Sequence, residues 1–273
     1  EANDYAGGHV HTVAVDGDSL AIDTGFIVHN RRNYPLLTRL FDELGVATQP
    51  TVMSFSMTCG CGTSWSSRRP WRARRLLPEI LRFLRGAASA DHDGKTLGRF
   101  LRDEGYSESF RRHYLVPMTS ALWSAAPGRA LEMPASFAIG FFAHHGMLGL
   151  RRARWRTVVG GSRRYVDEVV ARIGRDRVRT GCPVRSLARG ANGVTLTLAD
   201  GAARNFDAAV VATHAPTALD LLARPTADES RLLARFSVTE NEVTLHSDAS
   251  LLPRRSGDRA GWNYRSSACG ADP

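Results

Sequence analysis

EANDYAGGHVHT, residues 1–12, joins an acidic residue to a pair of glycines. In a dinucleotide-binding βαβ unit the second strand ends on an acidic residue whose carboxylate accepts hydrogen bonds from ribose hydroxyls. Glu1 is placed to be that residue. Gly7 and Gly8 then allow the backbone to pass close to a pyrophosphate or a flavin, where any Cβ would collide. An acidic residue before two glycines recurs by chance, so the reading depends on the rest of the chain.

Residues 10–22 hold short apolar pieces around Asp16, Gly17 and Asp18, the pattern of a hairpin leading into DTGF at 23–26. Leu37, Leu40, Phe41 and Leu44 recur at helical spacing between Pro35 and Gly45, which predicts a helix over 35–44. MSFSMT (53–58) alternates before a glycine-rich turn and TSWSS, predicting a second hairpin. From Arg68 to Arg85, arginines interleave with Trp71, Leu76, Leu77, Ile80, Leu81 and Leu84, as in an amphipathic helix with a solvated basic face. Thr96 and Ser107 can cap further helices, so 75–125 reads as predominantly helical.

Mixed segments resume near Gly160. GGS precedes Tyr165, Val166, Val169, Val170 and Ile173, with Ser162 as cap and Gly174 as stop. Val194, Leu196 and Leu198 alternate before an Asp200–Gly201 turn, and AAVVAT (208–213) reads as a short, fully apolar strand. Pro216 opens another helix, and EVTLHSD and GWNYR read as strands. The order β-rich, helical, β-rich fits one domain interrupted by an insertion better than two domains in series.

The 273 residues are 43% hydrophobic and 23% charged, enough for one large domain or two small ones. A formal charge of +9 raises nucleic acid or an anionic membrane as a partner. Lys95 is the only lysine, however, and an arginine skew with abundant alanine reflects genomic base composition as readily as a binding surface. Cys59, Cys61, Cys182 and Cys269 form no CxxC pair and have no matched histidine cluster, so neither a disulfide framework nor a zinc site is expected and no metal is assigned. Cys59 and Cys61 read as a tight turn between strands, and a reducing cytoplasm is the simplest setting. Residues 133–150 lack Asp, Glu, Lys and Arg, yet Pro134, three glycines and the adjacent His144 and His145 would be costly in lipid. A buried or pocket-lining segment is expected there rather than a membrane span, with interfacial contact the minority reading.

EAxDxxGGH, DTGF, PVRSL, a Val-Thr-Leu strand, DG and D-AAVVAT-HAP appear in one order at workable spacings. This succession resembles the flavin-containing amine oxidase superfamily, which includes monoamine oxidases, phytoene desaturases and protoporphyrinogen oxidases. DTGFIVHNRRNYP, MSFSM, ALWS, HHGML, WRTVVGGSRRYV, ATHAP, LHSDASLLP and WNY are similar to bacterial NAD/FAD-binding proteins often associated with cyclopropane fatty acid synthases. The resemblance covers Glu1 to about Tyr264. It implies FAD as cofactor, with Glu1 on the adenosine ribose, Gly7 and Gly8 bordering the pyrophosphate, Asp23, Thr24 and Gly25 approaching the flavin, and Val184 meeting the adenine through its backbone. Asn3 and His9 stand where the family often has arginine, which removes charge pairing with the diphosphate at those positions. The GxGxxG turn that precedes the ribose acid and the closing Gly-rich flavin segment have no counterpart here, so the FAD site is expected to be incomplete at both edges.

The fold class implied is α/β: an incomplete Rossmann-like FAD/NAD(P)-binding domain from 1–50 and 156–225, with a mixed α+β substrate domain from 51–155 and 226–273. The activity implied is that of an FAD-dependent oxidoreductase moving a hydride equivalent from a hydrophobic or lipid-like substrate to flavin. A desaturase or isomerase of acyl or isoprenoid chains is the alternative within the class. A non-catalytic basic protein, docking arginine-rich segments 68–85 and 151–164 on anionic lipid or nucleic acid, is the alternative outside it. The expected partner is a small-molecule or lipid-like substrate, with no nucleic acid and a cytoplasmic location, a membrane-peripheral one being the alternative. His144 and His145 are placed facing the substrate cavity; no residue is assigned as catalytic, and Lys95, at the mouth of a helix, is a poor match for the flavin-side lysine of some oxidases. The plain alternatives are a turn role for Asp23, a strand role for Val184 and structural roles for His144, His145, His214 and His246.

Overall fold

The computed structural model describes residues 1–17, 20–148, 154–267 and 269. Asp18 of the expected hairpin turn, 149–150 of the apolar stretch, 151–153 of the second arginine-rich segment, and 268 and 270–273 of the final SSACGADP lie outside the described residues. The chain gathers into two compact units: Glu1–Ile27 with Phe41–Ala47 and Val158–Glu242, and Val28–Leu40 with Thr48–Thr157 and Val243–Pro273. Relative to the division expected from sequence, 28–40 join the second unit and 226–242 the first.

In the first unit Thr12–Val15 and Leu20–Asp23 pair as the antiparallel hairpin that the Asp16–Gly17 turn predicts, with Thr12 opposite Asp23. Asp16 (φ 53°) and Gly17 (φ 62°) take the left-handed conformations that a tight hairpin turn requires. Helix Arg163–Ile173 ends at Gly174, whose φ of 101° stops it. Val184–Gly190, Gly193–Leu198 and Ala203–Phe206 form an antiparallel sheet in chain order. Helices Ala215–Leu221 and Ala227–Leu233 come next, the second opened by a capping box between Thr226 and Glu229. AAVVAT is not a strand: Val210 is 93% exposed, and among the described residues 208–213 find no ladder partner. An apolar strand needs neighbours on both edges, and its composition cannot supply them.

The second unit is built around a three-stranded sheet in which Trp262–Ser266 runs parallel to Phe55–Cys59, whose other edge pairs antiparallel with Ser64–Ser66. GWNYR is thus a strand as read. EVTLHSD is not: Asp248 N–H donates to His246 Nδ1 and Ser250 N–H to Asp248 Oδ1, local bonds that replace a ladder. Leu77–Gly86, Leu97–Asp103, Glu108–Phe110, Val116–Trp123, Pro127–Glu132 and Ala135–His144 are helical. The single basic helix expected over 68–85 is split into a 3-10 turn, Pro70–Ala73, and the helix from Leu77. Pro78, which lacks an N–H, is tolerated in a first turn but not further inside, so it fixes the start. Thr96 and Ser107 cap as expected, accepting from the N–H groups of Arg99 and Phe110.

The core of this unit joins Met57 and Trp65 of the sheet to Phe83, Phe100, Phe110, Leu115, Ile139 and Phe142 of the helices. Phe83 has Tyr106, Phe110 and Phe142 around it at ring-centroid distances of 5.9, 5.8 and 6.3 Å. In the apolar stretch, Ala135, Ala138, Ile139 and Phe142 are buried in this core. Among the described residues no helix is long and apolar enough to cross a membrane.

Candidate functional site

The opening segment is held in place through its backbone. Cys182 N–H donates to Glu1 O at 2.8 Å and Gly181 N–H to Asn3 O at 2.6 Å. Glu1 is therefore paired two residues ahead of Val184, the first residue of its sheet. The Glu1 side chain is exposed, and its Oε1 accepts from Asn3 N–H. Gly7 has φ 127° and its missing Cβ would meet Val10 O at 2.6 Å; Gly8 has φ 56° and nothing within 4 Å where a Cβ would stand. An exposed acid beside the strand start and a side-chain-free turn with open space fit the ribose and pyrophosphate of a dinucleotide cofactor.

Asp23 has a different local task. Its carboxylate accepts from Thr12 Oγ1 at 2.6 Å, from Ser162 N–H at 2.8 Å and from Ser162 Oγ at 2.9 Å. Thr12 Oγ1 in turn accepts from Arg163 N–H at 2.9 Å. The expectation that Ser162 caps its own helix is corrected: its hydroxyl donates to Asp23 and the Phe26 carbonyl, while Asp23 and Thr12 take the orphan N–H groups of that helix start. Thr24 Oγ1 lies 2.7 Å from His11 Nδ1, and Phe26 N–H donates to His9 O at 2.8 Å. A Cβ on Gly25 would run into that same His9 carbonyl. The DTGF segment is thereby locked against 9–12, and the His9 and His214 rings face each other at 5.2 Å.

In the second unit His144 and His145 end the apolar helix beside a row of aromatics. Trp123 lies 5.6 Å from Phe137 and 4.8 Å from Phe141; Phe141 stacks on His145 at 3.8 Å; His145 is parallel to Trp155 at 6.5 Å. His145 Nδ1 is 3.0 Å from Phe141 O, and since a carbonyl only accepts, Nδ1 carries the hydrogen. Phe137 is 53% exposed. A separate cavity of about 640 Å³ is lined by Thr58, Cys59, Arg72, Asp258, Tyr264 and their neighbours; neither histidine is among its walls. Lys95 is engaged with the Asp91 carbonyl at 3.1 Å and with Asp103 at 3.8 Å.

His29 is buried, and desolvation followed by the Arg156 charge lowers its pKa. Nothing in the periodicity around residue 29 marks it as buried.

The expectation for the cysteines is also corrected. Cys59, Cys61 and Cys269 do have a histidine, His113, and the four ligand atoms lie within 4.8 Å of one another. Cys59 ends the first strand of the second hairpin and Cys61 lies in its turn, closed by Gly62 N–H on Cys59 O and Cys59 N–H on Thr63 O. Cys269 lies just past the last strand, whose Ser266 O accepts from Gly60 N–H. His113 sits in a wide π-turn, Arg111–Leu115. Residue 117 is proline and has no N–H to give the His113 carbonyl, so Trp65 Nε1 donates to it instead at 2.7 Å. Burial opposes the Cys61 thiolate, but hydrogen bonds from Cys269, Thr63 and Cys59 outweigh it and bring the thiol down to about 6, while the bond to Cys61 leads those that push Cys269 up. Cys182 lies in the other unit.

Glu1 beside the start of Val184–Gly190 and the Gly7–Gly8 turn thus stand in a mixed α/β unit. The sequence profile of the family described as flavin containing amine oxidoreductase matches residues 1–248, and the chain belongs to that family, whose cofactor is FAD. Similar solved structures include cyclohexylamine oxidase from Brevibacterium oxydans IH-35A (21% identity, TM-score 0.63), putrescine oxidase bound to putrescine (16%, 0.62) and a CLA-producing fatty acid isomerase from P. acnes (16%, 0.59). Each alignment covers 86% of this chain and 56% of the other, so the chain spans little more than half the length of the structures it matches. Comparison with curated proteins gives no match.

Proposed function

We propose that this chain forms part of an FAD-dependent oxidoreductase that takes a hydride equivalent from a hydrophobic, lipid-like substrate. The observation that carries the cofactor half is the backbone pairing of Glu1 and Asn3 with Cys182 and Gly181, next to a glycine turn that is open at Gly8. Bound FAD supplies the two-electron acceptor; the protein supplies position and environment. Glu1 would hold the ribose, Gly7 and Gly8 the pyrophosphate, and Val184 the adenine through its main chain. Asp23 fixes the start of helix Arg163–Ile173 against the hairpin, and Thr24 and Gly25 next to it would approach the flavin.

The substrate half rests on the aromatic row of Trp123, Phe137 and Phe141 beside His145, an apolar wall with one basic nitrogen at its end. Such a wall suits an alkyl or acyl chain better than a small polar amine. An acyl-chain isomerase has the same requirement, and the fatty acid isomerase of similar fold favours keeping it as the second reading.

The test is the visible spectrum of this chain and of any longer reading frame that contains it. Flavin absorption that survives gel filtration supports the assignment; a colourless protein that cannot be reconstituted with FAD rejects it. Anaerobic bleaching by long-chain amines would mark the oxidase, and double-bond migration without net bleaching the isomerase.

A further inference from the structure

We propose that Cys59, Cys61, His113 and Cys269 form a structural zinc site that fastens the segment after Trp262–Ser266 to the sheet and helices of the second unit. Four neutral or thiolate donors converging on one point is the composition of a closed, tetrahedral Cys3His site. Zinc–sulfur bonds of about 2.3 Å and zinc–nitrogen bonds of about 2.0 Å place the ligand atoms of a tetrahedron roughly 3.5–3.8 Å apart. The Cys59 and Cys269 sulfurs are 3.5 Å apart, Cys61 Sγ is 3.5 Å from His113 Nε2, and Cys269 Sγ is 3.1 Å from the same nitrogen. The remaining pairs lie within 4.8 Å, so shifts of up to about an ångström complete the polyhedron.

The surroundings are those of a ligand set. His113 Nδ1 lies 3.2 Å from Ser109 Oγ, an outer partner that holds the proton on Nδ1 and turns Nε2 toward the sulfurs. Thr63 Oγ1 is 3.2 Å from Cys61 Sγ. Cys59 and His113 are buried, whereas Cys61 and Cys269 are exposed, so an ion has a solvent route to a site whose inner half is pre-formed. Three thiols with one imidazole favour Zn²⁺ over the oxygen-seeking Mg²⁺ and Ca²⁺, and with all four positions filled by protein no place is left for a reacting water. Each thiol releases its proton to solvent on binding, and no electron is transferred. The ligands come from a hairpin turn, a helix and the segment after the last strand, so the ion cross-links three pieces far apart in sequence.

The experiment uses the full chain purified with its thiols kept reduced. Metal analysis should give one zinc per chain, and Co²⁺ exchanged into the site should show the intense visible bands and thiolate charge-transfer absorption of a tetrahedral thiolate complex. C61S and C269S, at exposed positions that the core does not need, should abolish stoichiometric zinc and the cobalt spectrum; C182S should retain both. Ser109→Ala should weaken zinc by about 10–100-fold. Absence of zinc and of cobalt binding in the reduced wild type would overturn the proposal. So would unaltered binding by the C61S/C269S double variant, or a Cys59–Cys269 disulfide in the freshly purified protein that no reductant converts into a zinc-binding form.

Discussion

The two units use their apolar residues in opposite ways. In the second, sheet and helices close over a continuous core, with Phe100, Phe110 and Leu97 at 0% exposure. In the first, helix Arg163–Ile173 has apolar residues at helical spacing yet buries none of them, and neither do Ala215–Leu221 and Ala227–Leu233. Its fully buried apolar residues among those described are Phe41, Val158, Leu187 and Leu198. Side chains such as Val210, Phe236 and Leu232 lie in water. The second unit thus has a continuous packed core, whereas among the described residues the first buries few apolar side chains and adds polar clamps such as Asp23 to its β ladders.

Substitutions can break that comparison. Phe83→Ala in the second unit should cost about 3–5 kcal/mol in denaturant unfolding, because it removes a ring enclosed by three others. Asp23→Ala should cost roughly 1.5–3 kcal/mol, by stripping charged hydrogen bonds from a helix start; a loss near zero would show that the first unit is not clamped there. The steepest pH limit should belong to the second unit. Tyr114, packed between Trp65 and Phe110, is pushed up to about 12 by burial. An unfolded tyrosine ionises near ~10, so the stabilisation is complete below that pH and is lost as pH climbs toward the folded value. Tyr114→Phe should flatten this alkaline limb in a stability–pH series. His29 works with the opposite sign: burial, then Arg156, lowers its pKa, so its contribution is complete above ~6.5 and fades as pH falls below that. Val210→Ala, at a side chain already in water, should change stability by no more than about 0.5 kcal/mol, and hydrogen exchange should be faster across the first unit than across the helices of the second.

How much of the fold was legible in the sequence depends on the range of the interactions involved. Both hairpins, helix Pro35–Leu44 and the Thr96 and Ser107 caps rest on neighbours a few residues apart, and periodicity finds them. The pairing of Glu1 with Cys182 was legible only through the order of motifs along the whole chain. AAVVAT shows the converse, since its composition states what it needs and not whether it obtains it. The thiol cluster left no local signature: CxC is not the usual spacing, its histidine stands 52 residues from Cys61, and Cys269 arrives only because Trp262–Ser266 inserts parallel to Phe55–Cys59. Parallel pairing across two hundred residues is set by tertiary packing, which no window of sequence contains.

The π-turn at Arg111–Leu115 carries a consequence for descent. A π-turn absorbs one additional residue, so the helix beyond it keeps its buried face while a side chain within the turn changes direction by about 100°. A relative lacking that residue would keep the Ser107 cap and the buried Phe110 ahead of it, yet offer another side chain to the hairpin. Possession of the imidazole can thus be gained or lost by a single codon while the scaffold is inherited unchanged.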